Sequence, residues 1–316
     1  MERKLLNGTP AIKRIVFLGA TCIFYMLVCI SRGWTSGMLQ TTGFWSNVVV
    51  KTLAVAFLIC FVQCVDYRIY YYFSRMLYIL SLALIALLQT PLGITIDGIT
   101  GWIRIANVDF SLVEVQKFVL MLILAYIVHW HSEQKMNQKM LWGYMSGAGC
   151  IMAVLWFIFS RDWQNAVMIV VFTVAMLFLH NQKEILQKVM LGMAVVSTIV
   201  GIVKIFYCEV SGEFVIFSVC VMTMMGLAIY ISLHMVRVGA EAGSIYGRAI
   251  AYGVALQFVL QFALSIVNMN IADSISYGGV DANSIVPGIA IVLSVERRNT
   301  ERKKLAVTLF SNNQNK

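Results

Sequence analysis

The stretch Gly98–Lys117, GITGWIRIANVDFSLVEVQK, lies between two long apolar runs and gathers Trp102, Arg104, Asp109, Glu114 and Lys117. In a water-soluble chain such a segment would be ordinary surface. Here it is an interruption, because the 316 residues are 60% hydrophobic and 12% charged, with three prolines and a mean hydropathy of +0.81. That balance leaves too little charge to cover a soluble domain of this length and marks an integral membrane protein. The segment is therefore a loop between membrane spans, and the fold follows from the apolar runs around it.

Runs of helical length recur near 12–30, 44–65, 75–90, 113–130, 141–159, 163–180, 186–207, 214–236, 247–268 and 281–295. Each is close to the roughly 20 residues that cross a bilayer core as an α-helix. They are continuously apolar and too long for the alternating strands of a barrel. The sequence thus predicts an all-α fold, a polytopic bundle of about ten transmembrane helices. A single transmembrane domain is expected over residues 1–296, with a basic cytoplasmic tail over 297–316 whose polar end, SNNQNK, frays. The first run, Ala11 to Ile30, is long for a signal peptide and lacks a convincing small-residue cleavage site, so it reads as a retained first helix.

Basic residues set the expected orientation, since moving them across during insertion is unfavourable. With the N-terminus inside, the inner connections collect Lys4, Lys13, Arg14, Arg68, Arg75, Lys135, Lys139, Lys183, Lys188, Arg237, Arg248 and the basic tail. The outer loops hold little beyond Arg32, Arg104 and Arg161. Both termini are therefore expected in the cytoplasm, and the net charge of +9 reads as topology plus attraction to anionic lipid headgroups. No basic residues interleave with aromatics on a soluble face, which argues against nucleic acid as a partner. The seven cysteines lie mostly inside spans without ligand or disulfide spacing, and the four histidines show no HExxH pairing, so no protein-built metal site is expected from them.

A charge in hydrocarbon is costly and usually faces a cavity or a partner. Under this topology Lys51, Glu114, Lys117, Asp162, Lys204, Glu209 and Glu213 all fall in the outer parts of their helices or in adjoining loops. Gln257, Gln261 and Asn268 lie on roughly one stripe of the ninth helix. Together they predict a polar cavity open to the outer side. Glu114 and Lys117, three residues apart, can pair on one helix face.

These residues resemble a known family. Gly98, Trp102, Ile103, Glu114 and Lys117 are similar to the first outer loop and following helix of the SEDS proteins (shape, elongation, division and sporulation), which include FtsW, RodA and SpoVE. That family carries a Gly, then Arg-Trp-Ile, then Gln-Pro-Ser-Glu with a Lys three residues after the Glu. Here Gly101 replaces the Arg, and Ser111, Leu112 and Val113 replace Gln-Pro-Ser. SISYGG, Ser274 to Gly279, resembles the family's Phe-Ile-Ser-Tyr-Gly-Gly before its last helix, which brings in Ser276 and Tyr277. In SRDWQNAV, Asp162 and Ala166 match Gln-Pro-Asp-Leu-Gly-Thr-Ala. SGEFVIFSV resembles Thr-Asp-Phe-Ile-Phe-Ala-Val, and Glu213 stands where the family has its proposed catalytic Asp. The long outer region that the family carries between its seventh and eighth helices is missing, and Lys204 to Glu213 connects those spans directly.

The resemblance implies peptidoglycan polymerisation, a glycosyl transfer between lipid-linked disaccharides with an undecaprenyl pyrophosphate leaving group, at the outer face of the bacterial cytoplasmic membrane. Such chemistry needs a base for the acceptor hydroxyl, cations for the departing pyrophosphate and an apolar opening for the lipid tail. Glu213 is the candidate base, with Glu209 one helical turn earlier to raise its pKa. Arg104, Arg161 and Lys204 are the outer cations, and a divalent ion, magnesium or manganese, held by Glu209 or Asp162 is the cofactor this chemistry admits. Trp102 either stacks on a sugar or lies at the headgroup boundary. The expected substrate-binding set is completed by Glu114, Lys117, Ser276 and Tyr277. Expected partners are membrane lipids, the lipid-linked peptidoglycan precursor and a monofunctional transpeptidase penicillin-binding protein. Two alternatives stand beside this reading: a catalytically inactive paralogue acting as a scaffold, which the missing outer region favours, and a lipid-substrate flippase, for which ionisable residues would more naturally lie at the midplane or along both halves of a pathway.

Overall fold

The computed structural model describes residues 10–35, 43–96, 99–105, 108–135, 137–180, 182, 184–185, 187–189, 192, 195–196, 199, 212–268 and 282–314. The helices are α1 (Pro10–Thr35), α2 (Phe44–Val62), α3 (Arg68–Leu87), α4 (Leu112–Gln134), α5 (Gln138–Ser160) and α6 (Trp163–Leu179), then α7, formed by the described residues between 184 and 199, all helical, and α8 (Gly212–Glu241), α9 (Ile245–Asn268) and α10 (Ala282–Gln314). The chain is a multi-pass helical membrane protein, as its apolar runs predict. Among the described residues α1 to α5 are long and apolar enough to cross a bilayer, and α6 is a shorter apolar helix.

The sequence of α4 determines its place in the bundle. From Val119 to Val128 every residue is buried, on all faces of the helix. Helices α3, α5, α6, α9 and α10 pack around it. Helices α2 and α3 instead present large apolar side chains outward, Phe57 at 72% and Tyr72 at 77% exposure. Lipid is as apolar as leucine, so helices associate here through close packing and small residues. A Cβ on Gly149 of α5 would run into the Thr173 side chain of α6, and one on Gly253 of α9 would lie 2.9 Å from Met121 of α4.

One end of the bundle is tied by polar contacts. Ser294 Oγ of α10 donates to the Val65 carbonyl at 2.6 Å and accepts from the Tyr67 amide at 3.2 Å. The Tyr67 hydroxyl meets Ser244 Oγ at 2.8 Å, joining the α2–α3 turn to the α8–α9 turn. Arg298 pairs with Asp66 at 3.6 Å and Lys303 with Glu241 at 2.6 Å. Glu241 ends a 30-residue helix, beyond the roughly 20 residues a span needs. Its hydrogen bond to Lys303 is the main reason its carboxyl lies below the ordinary carboxylate range. This contact therefore contributes stability above the unfolded carboxylate pKa and loses it as pH falls through the lower folded value.

Helix α10 runs 33 residues to Gln314, about 50 Å at 1.5 Å per residue. The basic segment after residue 296 is thus helical as far as Gln314, including Ser311–Gln314, which was expected to fray. Hydropathy is blind to this continuation because its support is ionic: Arg298–Glu301 at 3.1 Å, Arg297–Glu301 at 3.8 Å and Lys303–Glu241. Helix α3 likewise begins at Arg68, ahead of the expected 75.

A second departure lies in the opening stretch. A three-stranded antiparallel sheet of order β1-β2-β3 precedes α4, with β1 (Gly93–Ile96), β2 (Ile99–Ile105) and β3 (Val108–Ser111). Trp102 is register partner to both Ile94 and Ser111, and Arg104 to Asp109. The strands are too short for an apolar-run reading to find. The usable signals were the alternation Ile94, Ile96 and Ile103, Ile105 and the two-residue Asp97-Gly98 hairpin signature. Strand β3 passes directly into α4 at Leu112, so the sheet fixes where α4 starts and how its first turns are rotated.

The close α5–α6 approach gives a test. Gly149→Ala should lower stability by about 1–3 kcal/mol through overpacking, against the ~1 kcal/mol that alanine gains in helix propensity. Thr173→Ala in the same chain should recover part of the loss, read as thermal unfolding in detergent micelles. A higher melting temperature for Gly149→Ala alone would contradict the packing.

Candidate functional site

The functional candidates gather where the sheet feeds α4 and where α5 turns into α6. Gln116, in the second turn of α4, is buried, and its Nε2 donates to the Ser81 carbonyl of α3 at 2.7 Å. This bond fixes the rotation of α4 against α3. The next residue, Lys117, is rotated by about 100° around the helix and lines a small cavity between α4, α6 and α9. Gln257 and Gln261, at 7% and 2% exposure, supply the other polar wall. Leu120, Met168, Ile169, Phe172 and Leu260 complete it. The cavity gathers Lys117, Gln257 and Gln261, but its surface is almost entirely apolar and its volume is small, so it is not the polar, outward-open cavity that the sequence predicts.

At the α5–α6 turn Asp162 is buried and caps α6. Its Oδ1 accepts from the Asn165 amide at 3.0 Å. Its Oδ2 accepts from Asn165 Nδ2 and, at 3.5 Å, from Trp156 Nε1. A capping carboxylate also suits the positive end of the helix dipole. Arg161, just before it, is exposed and holds φ at 59°, left-handed backbone that is unusual outside glycine.

Trp102 is half-buried on β2. Arg104 on β2, Glu114 in the first turn of α4 and Glu213 in the first turn of α8 are placed by their backbones. Lys204, Glu209, Ser276 and Tyr277 lie outside the described residues, as does the segment joining α7 to α8. For a divalent ion, Asp162 does not fit: its carboxylate is shut off from solvent and committed to three N–H donors. Among the described residues no cluster of three or more His, Cys, Asp or Glu side chains can hold a metal. Sequence reasoning missed Gln116 and Asn165. Only the capping pattern, an Asp ahead of an apolar helical run, pointed toward the role of Asp162.

Comparison with known proteins places this architecture. Residues 11–211 match the family model of FtsW, RodA and SpoVE, described as cell cycle proteins; the match stops short of Glu213. Among solved structures the chain resembles the rod shape determining protein RodA of Thermus thermophilus, at a TM-score of 0.64 and 15% identity over 90% of this chain and 96% of that one. A mutant of the same RodA gives the same score over 97% of its chain. A chain from a structure on the coordination of polymerization and crosslinking by a peptidoglycan synthase complex gives 0.62 at 16% identity, covering 90% of this chain and 97% of that one. At such identities the likeness is one of fold. Among curated proteins no sequence match reaches significance.

The α5–α6 turn makes opposite predictions at adjacent residues. Arg161→Gly should raise stability by about 1 kcal/mol, because glycine carries no left-handed penalty. Asp162→Ala should lower it by about 1–2 kcal/mol through loss of the cap, and Asp162→Asn should lower it too, because one amide oxygen cannot accept from the Asn165 amide and from the side-chain donors that meet Oδ2. Thermal unfolding of the three variants checks both signs.

Proposed function

Because the chain belongs to the FtsW/RodA/SpoVE family, we propose that it is a lipid-linked peptidoglycan glycosyltransferase working at the outer face of the bacterial cytoplasmic membrane, with both termini in the cytoplasm. The observation that carries this reading beyond family membership is the interior cavity that joins Lys117 to apolar walls between α4, α6 and α9. A prenyl pyrophosphate substrate presents the same pairing of charge and hydrocarbon.

In this reading Glu213 takes the proton from the acceptor sugar hydroxyl. The acceptor oxygen bonds to the anomeric carbon of the donor as the bond from that carbon to the pyrophosphate breaks. Arg104, Arg161 and Lys204 offset the charge on the leaving pyrophosphate, aided by Lys117. Trp102, Glu114, Asp162, Glu209, Ser276 and Tyr277 complete the proposed site, Asp162 by holding the α5–α6 turn that presents Arg161. A magnesium or manganese ion would add charge neutralisation at the pyrophosphate, with Glu209 as its proposed ligand. Helix α2 packs on α1 and α10 while α3 packs on α4 and α5, and the outward apolar side chains of both, such as Phe57 and Tyr72, suit contact with a prenyl tail. The partner is a monofunctional transpeptidase penicillin-binding protein. A scaffold role is the second reading, favoured by the direct Lys204 to Glu213 connection in place of a long outer region.

Glu213→Gln keeps size and removes basicity, so it should cut polymerisation of the lipid-linked precursor by about a hundredfold or more with folding intact. Glu213→Asp should be slower than wild type, since a displacement of about 1 Å costs on the order of a hundredfold. Full activity in Glu213→Gln removes it as the base. Orientation is checked separately: Asn107→Cys should react with an impermeant thiol reagent from outside and Asn137→Cys should not. Crosslinkers placed at Asn107 or Ser211 should capture a transpeptidase, whereas failure beside a working positive control favours a solitary protein.

A further inference from the structure

Gln257 sits midway along α9, a helix that faces α4 and α6 inside the bundle. Its side chain lines the cavity shared with Lys117, and its Nε2 is buried without a hydrogen-bond partner among the described residues. An amide donor left unpaired in a low-dielectric interior is unfavourable, and an apolar side chain of similar volume would be equal or better there unless something pairs with it. Ionisable groups within membrane helices that face the bundle interior commonly mark substrate pathways, and Lys117 is such a group beside this donor. The donor also has defined company. Lys117 is a cation on the facing helix, while Ile169, Phe172 and Leu260 form an apolar wall beside it.

By helix rise Lys117 lies about 8 Å below the start of α4 and Gln257 about 16 Å below the end of α9. Lys117 therefore lies nearer the sheet and Gln257 near mid-depth, both lining one cavity. The recess thus runs from a cation and an amide donor into hydrocarbon walls. Acceptor oxygens match the Gln257 and Lys117 donors, and an isoprenoid chain matches the cavity surface, which is almost entirely apolar.

We infer that Gln257 is a further substrate-binding residue, donating with Lys117 to the phosphate oxygens that adjoin the isoprenoid chain of a lipid-linked substrate. This rests on the glycosyltransferase reading and adds to it the part of the substrate that the α4–α6–α9 recess holds. The cavity has room for about one water molecule, so a substrate headgroup enters only as the side chains around it move apart.

The test uses the full chain in nanodiscs of zwitterionic lipid, with undecaprenyl pyrophosphate and undecaprenol as probes. Wild type should prefer the pyrophosphate. Gln257→Leu should lose about tenfold in affinity for it and none for undecaprenol, while its melting temperature stays equal or rises. Gln257→Met, closer in shape, serves as a second variant should leucine disturb packing, and the same loss is expected. If either variant folds as wild type and keeps wild-type affinity for the pyrophosphate, Gln257 is no contact and the inference falls, with the glycosyltransferase reading untouched. If wild type itself fails to distinguish the two probes, both fall. Displacement of the pyrophosphate by phosphatidylglycerol at matched concentration would assign the recess to bulk lipid phosphate and overturn the assignment to a lipid-linked substrate.

Discussion

The bundle is built around a stretch of α4 that lipid does not touch. Val119 to Val128 are all buried, enclosed by α3, α5, α6, α9 and α10. Because hydrocarbon gives apolar helices no reason to associate, the enclosure rests on shape. Gly253 lets α9 approach α4 at Met121, and Gly149 lets α5 approach α6 at Thr173. Where α4 stops being apolar it acquires its polar roles. At its start Gln116 is fixed to Ser81 and Lys117 enters the cavity. Near its end the Arg75 guanidinium lies 4.7 Å from the centre of the Tyr126 ring, and His129 meets Glu133 at 3.2 Å.

The two ends of the molecule use polar groups differently. At the end carrying the α2–α3 and α8–α9 turns, Tyr67, Ser244 and Ser294 bond to one another or to backbone, and Asp66 and Glu241 meet arginine or lysine. Such pairing makes a stiff base. At the sheet end Arg161 is exposed in a left-handed conformation and Gln257 keeps an unpaired donor inside the bundle. An exposed cation beside the capped α6 and a buried amide donor on α9 are the groups on which the proposed site for an anionic lipid substrate draws.

Much of this was legible in the sequence, for identifiable reasons. The hydrocarbon core demands continuous apolar segments of fixed length, so the positions of all ten helices could be read from composition along the chain. The helical spacing of Gln257 and Gln261 placed them together, and they do share the cavity with Lys117. The three-stranded sheet was not legible because strands of four to seven residues leave too little alternation beside such strong helical signals. The extension of α10 escaped because ion pairs such as Lys303 with Glu241 leave no trace in hydropathy. Gln116 and Asn165 escaped because a single amide on an apolar helix does not announce its partner. For Glu213 the sequence supplied a motif and the fold supplies its place in the first turn of α8; its chemistry is a matter for experiment.

The central claim is that this family member makes glycan chains. Purified protein, alone and with a cognate transpeptidase, should convert lipid-linked disaccharide precursor into polymer that a muramidase degrades, with release of undecaprenyl pyrophosphate. A folded preparation that yields no polymer in either condition would contradict the account and assign the molecule a scaffold role.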